Sequence, residues 1–344
     1  MSEFFFSYGL FIAKVITGLI ALVFAVAIVG SSRKKEDGSK LKVTNLNEKL
    51  SELTDAVKVA LMDKKELKKE LKLEQKEAAK LAKQSKKTGA KEKRKPKLFV
   101  LNFDGDVRAS EVETLREEIT ALLSVAQPQD EVLLRLDNSG GMVHEHGLAA
   151  SQLQRIKDAN LTFTVVIDRV AASGGYMMAC VADKIIAAPF AIIGSIGVVA
   201  QLPNFHRLLD KAGIDFEQHT AGEFKRTVTM FGKNGEKERE KLRTELQETH
   251  NLFQDFVSEN RSKLDVDKVS TGEHWYGKQA LALNLVDELK TSDEFLTSSV
   301  DVYDIYELTM EVKQSLQDKF LGGLFSSIDR IKNRLNDEQS AARY

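Results

Sequence analysis

A serine set among small residues, Ala171-Ala172-Ser173-Gly174-Gly175, follows an apolar β-branched run, Leu161-Thr-Phe-Thr-Val-Val-Ile167. Such a run reads as a buried strand, and the apolar residues up to Cys180 can be helical. The hydroxyl then sits at a helix N-terminus, where free N–H groups and the dipole favour negative charge. The glycines let a substrate backbone come close. These are the needs of a nucleophilic serine beside an oxyanion hole. The stretch alone suits a plain helix cap better, with glycines that serve only packing. Two more glycine turns end apolar runs, Asp137-Asn-Ser-Gly-Gly141 and Gly194-Ser-Ile-Gly197. Three such turns meeting at one sheet edge strengthen the chemical reading.

A serine nucleophile needs a proton acceptor. The chain has six histidines. His144 and His146 stand closest after Gly141, where they also suit the cover of a helix start. Lys225 is the other candidate, in Ala221-Gly-Glu-Phe-Lys225. A lysine amine normally titrates near about 10.4, so acting near neutral pH needs a fall of about three units. Burial supplies that, because desolvation disfavours the ammonium. Phe224, Val228 and Met230 predict an apolar setting, and Arg226 would push the same way. Pairing with Glu223 would oppose it. A single cysteine, Cys180, excludes an intrachain disulfide and argues against a cysteine-based zinc site. It reads as a small buried hydrophobe.

The elements that must position these groups alternate. Leu98–Phe103 and Glu131–Leu136 read as strands, with helices over Ser110–Ala126 and Gly147–Ala159. Strands alternating with helices predict an α/β fold. The uncharged stretch 185–202 is broken by Pro189, Gly194 and Gly197 into two strands, Lys184–Ala188 and Ser195–Val199. A helix is predicted near Phe205–Ala212, a strand near Asp215–Gln218 and a long charged helix over Gly235–Lys263. His274–Ala280 leads through a helix to Leu285-Val-Asp287. A strand at Val302–Tyr306 and an amphipathic tail helix over Leu316–Leu335 close the chain.

Fifty basic residues nearly balance fifty-one acidic ones, but the stretch from Arg33 to Lys97 is lysine-rich. Phe4–Gly30 is apolar enough for a membrane helix, which takes about 20 residues. With no basic residues before it and Arg33-Lys34-Lys35 after it, an uncleaved anchor is expected rather than a signal peptide. The positive-inside rule then sets Arg33 and the residues after it on the cytoplasmic side, with a periplasmic placement as the alternative. Leu46–Lys87 has helical periodicity, as a coiled-coil stalk or a solvated spacer. Its lysines suit anionic lipid; without interleaved aromatic or glycine residues, nucleic acid is not expected. The predicted organisation is an anchor at 1–32, a helical spacer and linker at 33–97, a catalytic domain at 98–300 and a strand with tail helix at 301–344.

Five blocks resemble a known family, the membrane-bound serine–lysine peptidases of the signal peptide peptidase A type. They are Leu134–His144, Ala171–Ala179, Gly194–Val198, Ala221–Lys225 and Tyr276–Ala280, in the family's order and separation. The single catalytic copy, anchor and spacer look like the short members. The resemblance implies Ser173 as nucleophile and Lys225 as general base. It implies Ser195 as the group that hydrogen-bonds the lysine, and Gly141 and Gly174 as oxyanion donors through their N–H groups. It further implies a ClpP/crotonase-like stack of ββα units, a homo-oligomeric ring or dome, and a dyad that two subunits can share. Neither metal nor organic cofactor is implied. The setting is a bacterial inner membrane, and the substrates are peptides or membrane proteins, such as remnant signal peptides. The chain departs at Ser139, where the family has proline, so this turn is less stiff. Two other classes remain open: a crotonase-like acyl-CoA enzyme, and a non-enzymatic membrane scaffold that assembles through its stalk. Assays on acyl-CoA and on peptides separate the first, and Ser173→Ala with unchanged cellular effects would mark the second.

Overall fold

The computed structural model describes residues 40–63 and 94–311 without a break, with 6–12, 14–19 and single positions between 65 and 76. Residues 42–309 form one compact unit, and 1–41 group with 310–344 in another. In the latter, 6–12 and 14–19 are helical and exposed. Among the described residues no helix is long and apolar enough to cross a membrane. The second half of the expected anchor, most of the spacer beyond 63 and the tail helix lie outside them.

The elements are, in order, β1 (Lys40–Asn45), α1 (Leu46–Leu61), β2 (Lys97–Gly105), α2 (Val112–Leu123), β3 (Glu131–Asn138) and α3 (Val143–Asp158). Then come β4 (Thr162–Ile167), β5 (Val170–Ala172), α4 (Gly174–Ala179), β6 (Lys184–Ala187), β7 (Ile192–Gly194) and α5 (His206–Lys211). The chain continues through α6 (Glu236–Asn260), α7 (Val266–Val269), β8 (His274–Tyr276), α8 (Gly277–Ala282), β9 (Glu288–Leu289), α9 (Ser292–Ser299) and β10 (Asp304–Glu311).

Ten strands among the described residues share one sheet, ordered β1-β10-β2-β3-β4-β6-β9, with β5, β7 and β8 forming a wing off β3. The pairs from β10 to β9 and from β3 to β7 are parallel, and β7–β8 is antiparallel. The fold is therefore mixed α/β with a parallel-rich sheet. Strands buried on both faces must be apolar at successive positions, which is why Leu98–Leu101 and Val132–Leu134 show no alternation. On one face, Leu98, Val100, Leu133, Val166, Ile186 and Ile305 pack with Leu46 and Leu296. Leu115, Ile119 and Leu122 of α2 and Leu153 and Ile156 of α3 are likewise buried.

The helix expected from Leu46 is present as α1, but a strand precedes it where the sequence placed none. β1 lies inside the lysine-rich spacer, and from residue 42 on it belongs to the unit that carries the sheet. Asn45 caps α1, accepting the N–H groups of Asn47 and Glu48 at 3.0 and 3.4 Å. Asn47 then pins α1 to the sheet. Its Nδ2 donates to the carbonyls of Val300 and Tyr303 at 3.1 and 3.0 Å, and its Oδ1 accepts the Ile305 N–H at 2.7 Å.

Asn47→Ala leaves three part-buried backbone groups without partners, at a cost of about 1–3 kcal/mol. A urea titration should show a lower midpoint with an unchanged slope. Lys49→Ala, on an exposed position of the same helix, should stay within about 0.5 kcal/mol of the parent.

Candidate active site

Asn138 opposes Ala171 and Ala172 opposes Gly194, so β3, β5 and β7 end side by side. The three glycine turns therefore meet at one sheet edge. Ser173 links β5 to α4 with φ 52° and ψ −119°, a conformation rare for a residue with a Cβ. Its N–H donates to the Gly194 carbonyl at 2.8 Å. Gly140, at φ 88°, presses on this turn: an added Cβ would lie 2.7 Å from the Ser173 Cβ and 2.8 Å from the Gly174 nitrogen. Only glycine fits there.

Gly141 lies against Val107, whose carbonyl accepts the Met142 N–H at 2.9 Å. The Gly141 N–H has no acceptor among the described residues. Gly174 is the first residue of α4, so its N–H has no intrahelical acceptor either. Ser173, Gly141 and Gly174 line one narrow pocket with Val143, Met177, Val198 and Phe253. Ser195 takes φ 52° one residue beyond Gly194. Its N–H donates to the Glu273 carbonyl at 2.7 Å, and its hydroxyl stands a long 3.5 Å from the Gly272 carbonyl.

Lys225 is not in that lining. It sits in an irregular, mostly exposed stretch between α5 and α6, and is itself exposed. Among the described residues its side chain makes no hydrogen bond or ion pair. Glu223 does not clamp it, because that carboxylate pairs with Lys237 at 2.5 Å. The predicted apolar setting is not met within one chain: Phe224 is 47% exposed, beneath the ammonium groups of Lys237 and Lys241 at 5.7 and 5.6 Å. The strand expected at 215–218 is also absent, since these exposed residues have no neighbouring strand to complete a ladder.

The two histidines nearest the site differ. His144 is 78% exposed and stands 3.5 Å from Glu145. His146 is fully buried, and both ring nitrogens face oxygen atoms: Nδ1 is 3.0 Å from the Met142 carbonyl and Nε2 is 3.2 Å from Asn138 Oδ1. The sequence weighed His146 only as a base or a helix cover, and it missed Asn138, whose partners are set by the fold. A roomier cavity lies elsewhere, lined by Asn102, Arg135, Asp137, Asp168 and Arg169. Several of its polar groups are already engaged: Arg135 pairs with Glu307, Arg169 pairs with Asp137, and Asp168 accepts from the N–H and hydroxyl of Ser292. Among the described residues no cluster of His, Cys, Asp and Glu could hold a metal ion.

α4 rests on a rigid floor. The Tyr176 hydroxyl donates to the Leu285 carbonyl at 2.9 Å, and burial pushes its pKa up. Burial likewise pushes the Cys180 thiol up to about 12, which leaves it a neutral packing group. Arg261, 9% exposed, grips Asp287 through two hydrogen bonds of 2.9 and 2.8 Å and the Asn284 carbonyl at 3.0 Å. Burial pushes Asp287 up, but the Arg261 hydrogen bonds and the Ile185 N–H outweigh it and hold the carboxyl below its ordinary value.

A model for the N-terminal part of peptidase family S49 matches residues 3–153, and a model for peptidase family S49 itself matches residues 155–303. The chain belongs to peptidase family S49. Within that family it is similar along almost its whole length to proteins named Probable protease SohB. The one from Haemophilus influenzae is 47% identical over 97% of this chain and 96% of its own. The one from Buchnera aphidicola subsp. Acyrthosiphon pisum is 48% identical over 91% and 92%. Protease 4 of Haemophilus influenzae is 28% identical over 58% of this chain and 33% of its own.

Because its native pKa is depressed, Asp287 stabilises the fold above its unfolded value, and this contribution is lost as pH falls through the native value. Asp287→Asn should lower the urea midpoint at neutral pH, where it strands the Arg261 charge. It should also flatten the fall in stability between about pH 5 and pH 2, and a series of urea midpoints across that range checks both.

Proposed function

We propose that this chain is a serine endopeptidase that cleaves peptides or membrane-associated polypeptides through an acyl-enzyme on Ser173, with Lys225 as general base. One observation carries this: Ser173 is held off ordinary backbone geometry in a pocket that also holds Gly141 and Gly174, each with an N–H open for an acceptor. The Ser173 oxygen attacks the scissile carbonyl while Lys225 takes its proton. The N–H groups of Gly141 and Gly174 hold the oxyanion, the lysine returns the proton to the leaving amine, and water releases the acyl group. Ser195 orients the lysine. The fold belongs with the ClpP/crotonase-like stacks of ββα units, and no cofactor takes part.

Desolvation disfavours an ammonium, so the proposed base needs Lys225 to be buried. A second copy of the chain supplies that cover, in a homo-oligomeric ring or dome whose dyad joins two subunits. The stretch around Lys225 suits such burial, since Val199, Leu208, Ile214 and Phe216 are exposed at 78, 63, 54 and 43%. The N-terminal apolar segment anchors the enzyme in the bacterial inner membrane, with residues after Arg33 on the cytoplasmic side. Remnant signal peptides and misfolded membrane proteins are the substrates that such tethering favours.

Ser173→Ala and Lys225→Ala should each lower cleavage of a fluorogenic peptide by about a thousandfold or more, with the mass of the assembly unchanged. A fluorophosphonate probe should mark Ser173, read by mass spectrometry of the digested protein. Full activity in Lys225→Ala would remove the lysine from this role. Turnover of an acyl-CoA thioester with no peptide cleavage would move the chain to a different chemistry.

A further inference from the structure

We infer that His146 is a positioning residue for peptide cleavage: its Nε2 holds Asn138 so that the turn carrying Gly140 and Gly141 presents its N–H to the oxyanion. The inference rests on the reading of Ser173 as nucleophile.

Three buried contacts meet at Asn138. The side chain is 1% exposed, and its Oδ1 accepts the Gly140 N–H at 2.6 Å. That bond fixes which end of the amide is oxygen, because an Nδ2 there would face another donor. Nδ2 is directed to the Met178 sulfur at 3.7 Å. His146 Nε2, 3.2 Å from the same Oδ1, can therefore bond it only by donating. The Met142 carbonyl beside Nδ1 already receives two backbone N–H groups, those of Glu145 and His146 at 3.2 and 3.1 Å, so both its lone pairs are engaged and the single ring proton goes to Nε2. The Asn138 contact is thus the one that depends on the ring.

The ring also sets the depth of the oxyanion turn. It lies against Gly174, where an added Cβ would come within 2.4 Å of the His146 Cγ. One side chain thereby touches both proposed oxyanion elements, the turn after β3 through Asn138 and the start of α4 through Gly174. Residue 139 is serine, so the turn has no proline to fix its φ. The side chain of Asn138, braced by His146, supplies that stiffness. Loss of the brace leaves substrate binding along the pocket intact and misplaces a donor that acts on the transition state.

The full-length chain in detergent micelles tests this through substitutions that imitate one ring nitrogen each. The amide of His146→Gln reaches the Nε2 position, that of His146→Asn only the Nδ1 position, and His146→Phe keeps the ring without either nitrogen. His146→Phe and His146→Asn should lower kcat about 10- to 100-fold with KM within about twofold. His146→Gln should return to within about threefold of the parent. A peptide aldehyde, whose adduct with Ser173 carries the oxyanion, should bind Phe and Asn variants at least about tenfold more weakly, while the matching peptide alcohol binds all variants alike. Full kcat in His146→Phe, or no advantage of His146→Gln over His146→Asn, overturns the inference. If His146→Phe fails to fold, shown by a lost thermal transition, the Gln and Asn pair decides. Ser173→Ala runs in parallel: retained cleavage there overturns the underlying reading, whereas its loss beside an indifferent His146 overturns this inference alone.

Discussion

The bond from the Ser173 N–H to the Gly194 carbonyl, 2.8 Å long, holds the candidate site together. A backbone in the region that Ser173 adopts costs of order 1–3 kcal/mol, and it persists only where the surroundings leave no relaxed alternative. Here β5 is three residues long and pinned on both sides, by Asn138 of β3 and by β7. Gly140 leaves no room for the turn to swing back. The strain is thus carried by a parallel sheet whose strands are buried on both faces. The large apolar core does more than stabilise the chain, because it lets one serine stand in a conformation that it would otherwise leave.

The same reasoning explains what was legible in the residues and what was not. Strands β2, β3, β4 and β6 show in the sequence because each is an apolar run ended by turn residues. The misses have physical causes. The sequence placed a strand at Ser195–Val199, whereas the ladder runs over Ile192–Gly194 and stops there. Gly194 at φ 104° and Ser195 at φ 52° bend the chain out of the ladder, and no residue count announces that. β1 was hidden because Lys40-Leu-Lys-Val-Thr-Asn45 has the composition of a charged spacer and gains its regular form beside β10. β10 itself continues to Glu311, five residues past the predicted end; β2 pairs with it over Asp304–Glu307 and β1 is its neighbour on the other side.

In the candidate site, legibility divides by distance along the chain. The glycine turns around Ser173 and Gly141 were visible, since the chemistry of each lies within a few residues. The Asn138–His146 contact was not, although only eight positions separate the two. It needs the end of β3 and the first turn of α3 to face each other over α4. Arg261 and Asp287 are farther apart still, yet they fasten the floor beneath α4. Sequence pattern finds groups that act on a substrate more readily than groups that hold those groups still.

Lys225 shows the limit from the other side. Its type and spacing were plain, but the apolar surroundings predicted for it were not found within one chain. The stretch that carries it is stiffened locally by Phe205 and Phe216, whose rings lie 6.1 and 5.8 Å from that of Phe231. That small cluster gives the loop a shape without drying the amine. A buried sheet fixes the serine half of the proposed dyad inside each chain, while the lysine half waits on a surface that is wet until something covers it. A peptidase built this way would keep its nucleophile ready in each chain and its base exposed until covered. On the proposed reading, hydrolysis would be confined to an assembly of chains that covers Lys225.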